Sequence, residues 1–268
     1  MENQSFKEIK NKIDVLKLNY NAENSDAVIK FTEEYKLDER KNVKAAIAGL
    51  IKFIEKQNSE RNRVIKLYEF DLSFADFKIT AGADEVGRGP LAGPIVAASV
   101  ILDPDSLKNK DIILGINDSK KLNPKLRREL AEIIKSKAVC YNIHEISNKI
   151  IDEKGIAWCN NQVLKNAAEM LKIKPDLVLS DGYPIKGINA NNKFVIKGDS
   201  KSAAIAAASI IAKVYRDDLM KDYAEIYPGY GFENNAGYGT LEHLDGIKKY
   251  GITEIHRNSF LTNILRGQ

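Results

Sequence analysis

Residues 78–102 read KITAGADEVGRGPLAGPIVAASVIL. KITAGADE is expected as a strand that ends on two acids, Asp84 and Glu85. PIVAASVIL, from Pro94, is β-branched and apolar and is expected as a second strand. Between them, Gly87-Arg88-Gly89-Pro90-Leu91-Ala92 satisfies the G-x-G-x-x-A pattern of dinucleotide-binding loops. That pattern requires a helix after the glycines, whereas Pro90 and Pro94 lead into a strand. Asp84 and Glu85 would also meet a pyrophosphate with like charge. Two readings of the glycines remain: a tight turn between strands, or a backbone that approaches a ligand closely.

Downstream the texture is β/α. DIILGI (111–116) is expected as a third strand. NPKLRRELAEIIKSK follows with Asn123 as helix cap and Pro124 in the first helical position. AVCYNIHEI alternates like a strand, and a helix is expected over roughly Gln162–Leu171. DLVLSD is a short strand ending at Asp181. KFVIKGD is another, ending at Asp199. A long helix, SAAIAAASIIAKVYRDDLMKDYAEIY, follows, then a Gly- and aromatic-rich loop and a helix near Leu241–Tyr250. Strands alternating with helices imply an α/β class with a mixed central sheet flanked by helices.

Upstream the chain differs. Residues 1–70 contain no Pro and one Gly, Gly49. Apolar residues recur at helical spacing, Phe6, Ile9, Ile13, Leu16, then Val43, Ile47, Leu50, Ile54, which predicts two or three amphipathic helices. A helical N-terminal extension over 1–72 and an α/β domain over 73–268 are therefore expected. From Arg40 to Lys66 there are eight basic and two acidic residues, either a solvated helix face or a helix lying along a phosphate backbone. Residues 1–77 are neutral, with 14 basic and 14 acidic groups, so the net charge of +4 resides in the remainder.

No apolar run approaches the ~20 residues of a membrane span. The polar start MENQSFKEIK is not expected to be a signal peptide. Cys140 and Cys159 form no CxxC pair, and His144, His243 and His256 are far apart, which argues against a zinc finger or a disulfide framework. A cytoplasmic, reduced protein is expected, with a monomer as the default.

The expected strand ends carry Asp84–Glu85, Asp181 and Asp199. Carboxylates gathered there would repel one another unless cations compensate. Hard oxygen donors without neighbouring His or Cys suit Mg²⁺ or Mn²⁺. Two such ions ~3.5–4 Å apart can activate water and stabilise the leaving oxygen of a phosphodiester. Any one of these acids alone is more simply a turn or helix cap. The glycine loop could offer N–H and C=O groups to a sugar 2′-hydroxyl, the group that separates RNA from DNA.

AGADEVGRGPLAGP, NDSKKL, LSDGYPI, KGDSKSAAIAAASIIAKVYRD and YPGYGFENNAGYGT followed by HRNSF together resemble bacterial ribonuclease HII, from about Lys78 to Phe260. The resemblance implies a ribonuclease H-like fold with a five-stranded mixed sheet. It also implies an endonuclease that cuts RNA in RNA–DNA hybrids and incises 5′ of ribonucleotides embedded in duplex DNA, leaving 5′-phosphate and 3′-hydroxyl ends. The family's four metal-binding catalytic acids fall on Asp84, Glu85, Asp181 and Asp199, with two divalent cations, Mn²⁺ or Mg²⁺, acting in catalysis. Its 2′-OH-reading loop falls on Gly87, Arg88 and Gly89, and its substrate-sensing tyrosine on Tyr238. That last motif more often reads GYPT, so Gly239 predicts a looser turn.

Lys120, Lys121, Lys201, Lys213 and Arg216 are either phosphate contacts or surface charges. Lys213 and Arg216, three apart, share a helix face, and Asp217 is expected to pair with a nearby base. Tyr227, Tyr230 and Phe232 are expected to be packing, and the three histidines structural. The sister enzyme ribonuclease HIII is disfavoured because its glycine motif differs and its fourth acid is usually Glu. A binding module without catalysis is disfavoured because all four acids are present.

Overall fold

The structure is a computed structural model that describes residues 4–20 and 25–265. Residues 1–3 of the expected extension and the last three residues of the C-terminal LTNILRGQ lie outside them. Contacts divide the chain into two compact units, residues 1–63 and 64–268, a division that falls inside a helix.

In the first unit, α1 (Phe6–Leu18) and α2 (Ser25–Glu34) accompany the first part of α3 (Lys41–Leu72). Ser5 and Glu8 form a reciprocal capping box that satisfies free N–H groups at the start of α1. The helical spacing seen in the sequence has its purpose here. Ile9, Ile13, Val43, Ile47 and Leu50 close a core with Val28, Phe31 and Tyr35. Lys41, Lys44, Lys52 and Lys56 point to solvent.

The second unit is built on a five-stranded sheet of order β3-β2-β1-β4-β5. Its strands are β1 (Thr80–Val86), β2 (Ile95–Ile101), β3 (Cys140–Ile146), β4 (Leu177–Asp181) and β5 (Asn191–Val195). β1 runs antiparallel to β2 and β2 to β3, whereas β4 is parallel to both β1 and β5. All seven residues of β2 are buried, as a central strand covered on both faces requires.

The pleat sorts the apolar residues by face. Val96, Ala98 and Val100 join one core with α4 (Pro124–Lys137), the last part of α3 and α7 (Ala203–Ile226). Ile95, Ala97 and Ile101 join another with α6 (Ile156–Glu169), which follows the short α5 (Asn148–Lys154). α7 lies so close to β1 that a Cβ on Gly82 would sit 2.1 Å from the carbonyl carbon of Ala204. The alanine-rich first half of α7 makes that approach possible.

α4 begins as the sequence predicts, with the Asn123 side chain accepting the Leu126 N–H at 2.9 Å and Pro124 in the first turn. α6 begins six residues before the expected Gln162. Two strand expectations are corrected. DIILGI is a loop: Ile112, Ile113 and Ile116 are buried, and the Ile113 N–H donates to the Tyr68 hydroxyl at 3.1 Å instead of to a neighbouring strand. KFVIKGD is strand only to Val195; Lys197 then turns left-handed (φ 57°), and Asp199 lies in a 3₁₀ turn, Gly198–Ser200. The C-terminal part adds α8 (Phe232–Asn235), α9 (Leu241–Tyr250) and α10 (Asn258–Leu265).

Candidate active site

The strands β1 and β4, parallel neighbours, end together and deliver Asp84, Glu85 and Asp181. The pleat separates the first two. Asp84 follows Gly82 to the α7 side, where Ser209 lies beside it. Glu85 follows Ala83 to the α6 side, beside Asn160. Asp181 Oδ1 accepts the Gly198 N–H at 2.6 Å, which draws the turn carrying Asp199 to the end of β4. Asp84, Glu85, Asp181 and Asp199 thus line one cavity of about 500 Å³, together with Gly87, Arg88, Gly89, Ser119, Lys120, Ser209, Lys213 and Tyr238.

The acids sit there at an electrostatic cost. Burial, then the charges of Glu85 and Asp181, hold the Asp84 carboxyl well above the usual carboxylate range. Burial also pushes Glu85 up, to about 7; Arg88, 3.6 Å away, opposes the shift and Asp181 adds to it. Asp199 is raised by burial and by Asp118 and Asp181, against Lys120 and Lys121. Glu85 Oε2 is buried without a hydrogen-bond partner, as is the Asn160 side-chain oxygen. Such orphaned atoms are rare in a finished core.

Among the described residues, no three His, Cys, Asp or Glu side chains are gathered into a ready-made metal cage. The acids face an open cavity, as like charges without a counter-ion should. Hard oxygen donors, an orphaned carboxylate oxygen and the raised proton affinities all fit divalent cations entering from solvent.

The cavity is also lined by the glycine loop. Gly87 has φ +93°, and a Cβ on it would strike the Arg216 side chain at 2.3 Å, so only glycine fits. Tyr238, two-fifths exposed, lies with its ring 3.7 Å from where a Gly89 Cβ would be. Arg88 lies with its guanidinium 5.5 Å from the centre of the Tyr183 ring.

Arg216 departs from expectation: it is fully buried and cannot reach a phosphate. Its guanidinium donates to the carbonyls of Pro94, Ala92 and Ala236 at 2.9, 3.1 and 2.9 Å. Arg216 and Lys213 both lie on the side of α7 toward Gly87, but Arg216 is sunk beneath the glycine loop whereas Lys213 lines the cavity. Lys201 is exposed and does not line the cavity. Lys120 and Lys213 do line it, although Lys213 is bonded to Asp217 at 2.6 Å, and Asp217 also pairs with Arg127 at 3.3 Å, as expected of it. Lys121 lies 3.6 Å from Asp118.

Arg257 was not singled out by sequence reasoning. It is fully buried and donates to the carbonyls of Gly87, Arg88 and Gly93 at 2.7, 3.1 and 2.9 Å. Asn160, Ser119 and Ser209 were missed too. The turn at Gly239 is not loose: the Tyr238 N–H donates to the Asn235 carbonyl at 2.9 Å, and the Tyr238 carbonyl accepts the Thr240 N–H at 2.8 Å. Tyr230 and Phe232 are packing, as expected, with stacked rings 5.3 Å apart. Cys140 and Cys159 are free, and no helix among the described residues is long and apolar enough to cross a membrane.

Comparison with known proteins identifies the family. The ribonuclease HII family model matches residues 81–263, and that of the ribonuclease HII N-terminal domain matches residues 5–75. The ribonuclease HII of Clostridium beijerinckii is 57% identical over 263 residues, covering 97% of this chain and 96% of that protein. That of Clostridium botulinum (strain Loch Maree) is 52% identical over 265 residues, with 99% and 98% covered. Among solved structures, the ribonuclease H2 of Pyrococcus horikoshii superposes with a TM-score of 0.59 at 28% identity, over 68% of this chain and 93% of that one. The ribonuclease HII of Archaeoglobus fulgidus, solved in complex with PCNA, gives 0.54 at 31% identity over 67% and 94%. The chain belongs to the ribonuclease HII family and is accordingly a hydrolase of the endoribonuclease class.

Proposed function

We propose that the chain hydrolyses the RNA strand of RNA–DNA hybrids and incises duplex DNA on the 5′ side of an embedded ribonucleotide, leaving 5′-phosphate and 3′-hydroxyl ends. The observation that carries this reading is the composition of one cavity. Four carboxylates line it together with the Gly87–Gly89 loop and Tyr238. A nucleotide seated there would have its phosphate against the acids and its sugar against the glycines.

In this reading Asp84, Glu85, Asp181 and Asp199 hold two divalent cations, Mn²⁺ or Mg²⁺. When bound, these ions offset the carboxylate repulsion and make the phosphodiester more susceptible to attack by water. Gly87 and Gly89 offer backbone groups to the 2′-hydroxyl, and Tyr238 packs against the sugar at the RNA–DNA junction. Lys120 and Lys213 lie where they can meet flanking phosphates. The exposed lysines of α3 suit a duplex backbone, which would make residues 1–72 an accessory to substrate binding. Such an activity serves ribonucleotide removal and primer RNA removal during DNA replication and repair.

The test is a labelled DNA duplex with one ribonucleotide, incubated with Mn²⁺ or Mg²⁺ and, as control, EDTA. Metal-dependent incision on the 5′ side is the expected result. Cleavage confined to a long hybrid would point to ribonuclease HIII-like specificity, and silence on both substrates would overturn the proposal.

A further inference from the structure

Tyr238 presents its ring to the cavity, but its carbonyl points the other way, to 2.9 Å from Nδ1 of His243. His243 is fully buried, and its Nε2 lies 3.1 Å from Nε2 of His256, itself 1% exposed. Nδ1 of His256 in turn meets the N–H and the hydroxyl of Thr253, each at 2.8 Å. The rings of Tyr230 and Phe232 pack around both imidazoles and keep the chain of contacts dry.

These contacts fix every ring proton by elimination. A carbonyl only accepts, so His243 carries its proton on Nδ1, and the neutral ring leaves Nε2 bare. A backbone N–H only donates, so Nδ1 of His256 is bare and its proton sits on Nε2. The two Nε2 atoms therefore meet as donor and acceptor, and the relay runs one way, from Thr253 through His256 and His243 to Tyr238. Burial keeps both rings neutral. A charge on either would set N–H against N–H.

The relay starts from the segment that also holds the glycine loop. Arg257, next to His256, donates to the carbonyls of Gly87 and Arg88. Asn148 pins the segment from outside, donating to the carbonyls of Glu254 and His256 at 2.8 and 2.9 Å. Residues 253–257 therefore set both surfaces that a ribose would touch, Gly87–Gly89 by one side chain and Tyr238 by the neighbouring one.

We propose that His243, aligned by His256, is a positioning residue for Tyr238, and that the pair sets recognition of the ribonucleotide at an RNA–DNA junction. This rests on the reading of Tyr238 given above. His243 touches no substrate. It acts by holding the Tyr238 backbone so that the ring stays over Gly89.

The test is a double-mutant cycle. His243→Phe keeps the ring volume and removes both nitrogens; His243→Asn keeps a donor near Nδ1. Each is made in the unaltered chain and with Tyr238→Ala. kcat and KM are measured on a single-ribonucleotide duplex and on a long hybrid, with thermal midpoints alongside. His243→Phe is expected to lower kcat/KM on the single-ribonucleotide duplex by about tenfold, more than on the hybrid, and to add no further loss beside Tyr238→Ala. His243→Asn should recover part of the loss. Equal losses in both backgrounds, or on both substrates, overturn the positioning role. Normal turnover by Tyr238→Ala alone overturns the reading of Tyr238 and the positioning role with it, an outcome distinguished by not involving His243. If His243→Phe does not fold, His243→Gln, which faces His256 but not Tyr238, takes its place. Imidazole ¹H–¹⁵N spectra of the unaltered protein should show protons on Nδ1 of His243 and Nε2 of His256, and the reverse pattern overturns the relay.

Discussion

Along the acidic wall of the cavity, Asp84 is buried and Glu85 half-buried beside Asp181, and Glu85 Oε2 has no hydrogen-bond partner. In and behind the glycine-loop wall, the carbonyls of Gly87, Arg88 and Gly93 each take a hydrogen bond from Arg257, and those of Ala92, Pro94 and Ala236 from Arg216. One wall is short of positive charge, and the other has two guanidiniums sunk beneath it. The difference separates two tasks. In the proposed reading, the lining that would attract mobile cations is left electrostatically incomplete, whereas the loop that would meet a sugar is held complete before any ligand arrives.

The largest effect should come from the incomplete wall. Asp84→Asn is expected to lower cleavage by at least ~10³-fold in steady-state assays, because in the proposed reading it weakens a cation ligand. The thermal midpoint without metal should stay level or rise, since a repulsive buried charge has gone. Near-normal turnover would remove Asp84 from the site and dissolve the contrast.

The complete wall should respond in the opposite order. Arg257→Ala strands three carbonyls and is expected to cost roughly 3–5 kcal/mol of stability by denaturant unfolding. Arg257→Lys should restore only part of this, because one ammonium cannot reproduce the forked guanidinium. Unchanged stability in Arg257→Ala would mean that the loop holds itself.

Glu85 gives the smallest and sharpest test. Its folded-state proton affinity is raised, to about 7 from an ordinary 4.5, so the folded protein binds the proton more tightly than the unfolded chain. The metal-free protein should therefore be favoured below about pH 4.5 and lose that share as pH rises through about 7. One such proton gives at most ~1.4 kcal/mol per pH unit. Asp71, buried elsewhere and also raised to about 7, contributes with the same sign, so Glu85→Gln should flatten the slope without removing it. Added Mg²⁺ or Mn²⁺ should raise the midpoint more at pH 8 than at pH 5. A slope unchanged by Glu85→Gln would show that the incomplete wall carries no stored repulsion.

The incomplete wall was the legible one. Asp84, Glu85 and Asp181 end apolar runs, and a carboxylate at the end of a strand leaves its mark in the order of residue types. PIVAASVIL was legible because a strand buried on both faces needs an uninterrupted apolar run. DIILGI has the same texture yet is a loop, since burial alone does not specify a ladder partner. Asp199 was assigned to a strand end because the left-handed turn at Lys197 has no glycine to announce it. Arg216 and Arg257 were opaque for a different reason. Their partners are carbonyls, which every residue possesses, so no pattern of side chains records the pairing. His243 and His256 likewise showed no partner in sequence because each is the other's, with a carbonyl at one end and a backbone N–H at the other.

Arg257 follows Gly87 by 170 residues. At the ~5–20 residues per second of protein synthesis, the loop emerges roughly 10–30 s before its clamp. During that interval a nascent chain already carries Asp84 and Glu85, but its glycine loop is untethered. Asp181 and Asp199 are made within the same interval, so all four carboxylates exist before the side chain that tethers the glycine loop, and the loop is the last part of the cavity to be set.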